Sequence, residues 1–162
     1  VIILKKILLP IERIDSKYEI ITEAVKIAKK FDSLIVVFHV KNKETLLKDF
    51  DNISSESKEL KSEFKAAVNK KVVTKEELIE KDIDSESFID DVLKMYQEEG
   101  INVESKEAKG DPASKILDES EEGDYDVIIM KTHELKSNKR FLLGSVTNKV
   151  VHNAKIPVLV IR

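Results

Sequence analysis

The chain has 162 residues, 41% hydrophobic and 36% charged, which suits one domain with a real core and excludes a disordered or membrane-embedded chain. Its 28 basic and 31 acidic side chains leave a net charge of −3, so charge alone does not hold it to nucleic acid or to an acidic membrane. It has no Cys, which excludes disulfides, thiolate metal sites and Cys nucleophiles, and its three His (39, 133 and 152) show no metal-ligand spacing.

The chain opens VIILKKILLP, an apolar stretch broken by Lys5 and Lys6. A signal peptide carries its charges before an unbroken apolar run, and a membrane helix needs about 20 apolar residues in a row. Neither pattern occurs, so a cytoplasmic protein is expected, with neither membrane nor nucleic acid as partner. Residues 2–9 read as a first strand closed by Pro10. Asp15 or Ser16 can cap a helix running to about Phe31, with Ile20, Ile21, Ala24, Val25, Ile27, Ala28 and Phe31 on one face. SLIVVFHV (33–40) is apolar almost throughout, as a strand covered on both faces would be.

Residues 41–86 break the alternation. They are dense in Lys, Glu, Asp and Ser, yet Leu46, Leu47, Phe50, Leu60, Phe64, Ala67 and Val68 fall at helical intervals. A structureless loop of this length is unusual in a compact domain, so one or two amphipathic helices are expected, a charged insertion in a single domain of residues 1–162. A solvated, partly mobile insertion is the competing reading.

A helix around residues 88–98 follows, then a strand over 101–108 with Ile101, Val103 and Ser105 on one face. Gly110-Asp111-Pro112 turns the chain, and Pro112 suits the first position of a helix holding Ile116 and Leu117. DVIIM (126–130) and PVLVI (157–161) read as strands four and five, and SVTNKVVHN (145–153) as the helix between them. Strands alternating with helices imply an α/β fold with a parallel sheet and right-handed crossovers.

The C-terminal third resembles the universal stress protein family. The similar pieces are Met130 ending a strand, Thr132-His133, Leu142-Leu143-Gly144-Ser145-Val146, Lys149-Val150 and Pro157-Val158-Leu159-Val160. ILLPIE (7–12), the strand ending His39-Val40, and Gly110-Asp111-Pro112 fall where that family has its corresponding elements, so the resemblance spans all but 41–86. It implies a doubly wound five-stranded parallel sheet of order 3-2-1-4-5, adenine-nucleotide alpha-hydrolase-like.

The nucleotide-binding branch of the family carries Gly-x-x-Gly, nine residues, then Gly-Ser/Thr. Its glycines let the backbone approach phosphates, and its last pair opens a helix whose N–H groups favour an anion. Here the pattern aligns on Lys131, Thr132, His133 and Glu134, then Gly144-Ser145. Lys131 and Glu134 replace both leading glycines, which predicts weak ATP binding. Glu12 stands where nucleotide-binding members carry a shorter Asp. The matching positions are Pro10, Val40, Met130, Gly144, Ser145 and Val146, the residues the resemblance assigns to a ligand pocket. Each also has a plain structural reading: Pro10 can end a strand, Val40 and Met130 can be core, and Ser145 can cap a helix. Residues 131–140 hold Lys131, Lys136, Lys139 and Arg140 against one acid, a basic loop able to meet another anion.

No catalytic residue and no metal ligand is assigned. His133 beside Glu134 resembles a base with its carboxylate, but adjacent side chains rarely point at each other. His39 reads as half-buried and His152 as an exposed helix residue. No nucleophile elbow, Walker loop or zinc-protease motif occurs. The expectation is a universal-stress-type binding and regulatory protein, without ATP turnover, that meets a protein partner the sequence does not name. An ATP/AMP switch with a variant pocket and a weak ATP hydrolase are the alternatives. Strand five would lie at one end of the sheet with Val158, Leu159, Val160 and Ile161 apolar, so a homodimer through this C-terminal strand is expected.

Overall fold

A computed structural model describes residues 3–11, 19–41, 83–131 and 143–161. The described elements are β1 (Lys6–Pro10), α1 (Glu19–Phe31), β2 (Leu34–Lys41), α2 (Ile83–Glu98), β3 (Asn102–Lys109), α3 (Pro112–Glu122), β4 (Val127–Lys131), α4 (Ser145–Asn153) and β5 (Val158–Ile161). The chain divides into two compact units, Val1–Lys41 with Phe88–Arg162, and Asn42–Ser87. Most of the insertion expected at 41–86 lies outside the described residues, as do the caps Asp15 and Ser16. No described helix is long and apolar enough to cross a membrane.

The strands form one parallel sheet of order β3-β2-β1-β4-β5, the order the family resemblance implied. β1 is central, with Ile7 beside Ile35 of β2 and Val127 of β4. Pro10 is the last residue of β1, as expected, and Ile11 beyond it donates one further N–H to the Phe38 carbonyl at 3.0 Å.

Alternation along each strand sends neighbours to opposite faces. Ile7, Leu9, Ile35, Val37, Val127 and Ile129 form one core with Ile20, Ile21 and Ala24 of α1 and Val92 and Tyr96 of α2. Leu8, Val36, Phe38, Ile128 and Met130 form the other with Ala113 and Ile116 of α3 and Val150 of α4. Helices cover both faces, which is why β2 is apolar nearly throughout. Tyr96 is wholly buried, and its hydroxyl donates to the Ile21 carbonyl at 3.0 Å, joining α2 to α1.

β3 differs from its neighbours. Ile101 is buried and Val103 half-buried, but Ser105 on the same face is exposed. The expected apolar face therefore stops after Val103, while Ala108 on the opposite face packs against the second core.

Candidate functional site

In this strand order the connections diverge between β1 and β4. β1 leads through α1 to β2 on one side, while β4 leads through α4 to β5 on the other. A crevice opens at such a point, above the carboxyl ends of the strands. Three of the six residues singled out from sequence belong to the core on the α3 and α4 face of the sheet: Met130 is buried in it, and half-buried Val40 and Val146 pack against it. Pro10 ends β1 and is half-buried, and Gly144 precedes α4.

The start of α4 differs from the expectation in one respect. Gly144, not Ser145, is the cap residue, and its carbonyl accepts the Asn148 N–H at 2.8 Å. Ser145 is the first helical residue and is exposed. A glycine cap contributes no side-chain oxygen, so the first-turn N–H groups of α4 receive no cap bond from it.

Thr147 was not singled out from sequence, yet it anchors this helix. It is buried, and its hydroxyl donates to the Lys131 carbonyl at 3.0 Å, joining the first turn of α4 to the last residue of β4. A Ser-x-Thr at a helix start was the only signal, and it is common to many helices.

Lys131, at the position of the first motif glycine, shares the face of Val127 and Ile129, towards α1. Its Nζ lies 3.3 Å from the Glu19 carboxylate in the first turn of α1. His39 is half-buried, and its Nδ1 lies 3.3 Å from the Ile11 carbonyl. A carbonyl only accepts, so Nδ1 carries the proton in this contact. His152 is exposed on α4. Glu12, Thr132, His133, Glu134 and the basic residues 136–140 lie outside the described residues.

The Gly110-Asp111-Pro112 turn closes the neighbouring strand ends. Gly110 takes φ +137°, a conformation glycine accepts, and donates its N–H to the Lys41 carbonyl at 3.2 Å. Asp111 caps α3, accepting the Ser114 N–H at 3.0 Å and the Ser114 hydroxyl at 2.8 Å. The backbone bond first, and then the hydroxyl, hold its carboxyl below the usual carboxylate range. A separate shallow cleft between β3 and α3 has paired charges on its walls, Lys106 with Glu119 at 2.7 Å and Lys115 with Asp118 at 3.5 Å. Among the described residues no three His, Asp or Glu converge as metal ligands.

Residues 4–162 match the universal stress protein family. The chain belongs to that family. A universal stress protein of Methanocaldococcus jannaschii is 31% identical over 98% of this chain and 82% of its own length. Among solved structures, the universal stress protein UspA of Lactobacillus plantarum is 22% identical and covers 99% of both chains with a TM-score of 0.65. A universal stress protein of Archaeoglobus fulgidus in complex with dAMP is 15% identical and covers 100% of both chains with a TM-score of 0.59. These structures share the fold of the present universal stress protein, a doubly wound sheet of the adenine-nucleotide alpha-hydrolase-like type.

Proposed function

We infer that this universal stress protein acts by ligand binding and association, without ATP turnover, and that its crevice is a weakened adenine-nucleotide pocket. The observation that carries the reading is Lys131, a long cationic side chain at the end of β4 that reaches Glu19 of α1. A glycine there leaves the backbone open to close approach; a lysine does not. In sequence, Glu134 adds a negative charge where phosphates would lie. The dAMP complex of the Archaeoglobus relative supports an adenine nucleotide as the ligand class. Pro10, Val40, Met130, Gly144, Ser145 and Val146 are the residues we assign to the lining.

Calorimetry with Mg-ATP tests this. The unaltered protein is expected to show no binding tighter than about 0.1 mM, roughly −5.5 kcal/mol. Lys131→Gly combined with Glu134→Gly is expected to strengthen it. Micromolar affinity in the unaltered chain overturns the reading.

The association we propose is a homodimer through β5. This strand is at one end of the sheet, its side chains are Val158, Leu159, Val160 and Ile161, and Leu159 is 41% exposed. An apolar edge with no charge to blunt it invites a partner strand. A twofold partner pairs it antiparallel and makes an isologous interface.

A further inference from the structure

Lys131 and Glu19 meet on the α1 face of the sheet, at the carboxyl end of β4. Lys131 is the last residue of β4, while α1, which begins at Glu19, follows β1. Their ion pair therefore ties the end of β4 to the start of α1, beside the point where the two connections diverge. The root of Lys131 is fixed by pairing with Ile161 of β5 and by the Thr147 hydroxyl on its carbonyl. The Lys131 side chain is 21% exposed and the Glu19 side chain 58%. A carboxylate in the first turn of a helix lies where the helix dipole favours negative charge.

We propose that the Glu19–Lys131 pair is a bar at the crevice: Glu19 holds the ammonium towards α1, where it obstructs an anionic ligand instead of neutralising it. The inference rests on the nucleotide-pocket reading and assigns the weak affinity to a definite contact. An anion entering the crevice competes with Glu19 for one cation. Glu19 thus acts through Lys131, as a positioning residue that does not touch the ligand. A surface ion pair with no such role predicts that ligand affinity is indifferent to Glu19.

Titration of the full chain with Mg-ATP to millimolar concentration, followed by nuclear magnetic resonance at the Gly144 amide, decides between them. Glu19→Gln keeps the shape and removes the charge. It is expected to tighten binding about two- to fivefold, the range a partly exposed ion pair supplies. Lys131→Gly is expected to tighten it at least as much. The double variant is expected to bind no better than Lys131→Gly alone, because Glu19 has lost the group through which it acts. Added salt should narrow the gap between the unaltered chain and Glu19→Gln.

If Lys131→Gly gains affinity while Glu19→Gln does not, the bar is refuted and the pocket reading stands. Gains that multiply in the double variant also refute it, since Glu19 would then repel the ligand directly. If even Lys131→Gly with Glu134→Gly gains nothing, the pocket reading fails and the bar falls with it.

Discussion

Asp111 binds two groups of Ser114 with one carboxylate, and both bonds favour its ionised form. A carboxyl held low in the folded state contributes stability that is complete above the unfolded value, about 3.9. That contribution is lost as pH falls through the lower folded value. Asp111→Ala is expected to cost about 1 kcal/mol at pH 7, as loss of a helix cap does. Asp111→Asn should keep most of the cap and lose this part of the acid sensitivity. Urea midpoints at pH 7 and pH 3 check both; an Asn variant as acid-sensitive as the parent would contradict the account. Thr147→Val removes the bond to the Lys131 carbonyl at nearly constant volume and is expected to cost about 1 kcal/mol. The chemical shift of the Lys131 amide region should move with it, because the same bond sets the distance between α4 and β4.

The strands carry the stability of this fold, and the two faces of the sheet can be probed separately. Val37 on β2 faces α1 and α2, whereas Ile128 on β4 faces α3 and α4, and neither is exposed to solvent. Truncating either to Ala leaves a cavity in a core that cannot collapse, at an expected cost of about 2–4 kcal/mol. The strands are separated by β1, which puts roughly 10 Å between them. The two losses should therefore add in the double variant. Denaturant midpoints that barely change, or losses that fail to add, would show that the two cores are not packed as described. Tyr96 is the equivalent link between helices. Tyr96→Phe keeps the ring and leaves the Ile21 carbonyl without that donor, a milder loss of about 1 kcal/mol.

For the whole molecule the two ends of the sheet matter most, because they are unlike. β3 carries Glu104, Lys106, Glu107 and Lys109 along its exposed length, while β5 is apolar at every position. Charges along an edge resist pairing with another strand, and an apolar edge favours it. Pairing β3 of one molecule with β5 of the next would bury those charges and extend without closing. The proposed β5–β5 contact closes after two copies. Val160→Lys puts a charge from each subunit near its twin across the axis, and is expected to shift the protein towards monomer. Lys106→Ala, on the other edge, should leave the association unchanged. Light scattering at tens of micromolar measures both, and a monomer mass for the unaltered chain would end the dimer proposal.

The order of elements was readable because its causes are local. Apolar runs with a period of two or near four, Pro112 at a helix start and the block from Gly144 to Val160 each express a preference within a few residues. Those preferences, with the handedness of parallel crossovers, imply the α/β class; the family resemblance supplied the strand order and placed Met130 and Gly144 at the same end of the sheet. Local patterns did not reveal that Gly144 caps α4 while Ser145 lies inside it, since either residue suits a cap. Nor did they show the Thr147 bond to Lys131 or the reach of Lys131 to Glu19. Both depend on which face of β4 a side chain takes and on which helix the sheet order brings beside it. A strand end determines its neighbours through the packing of the whole sheet, and that information is spread over residues far apart in the chain.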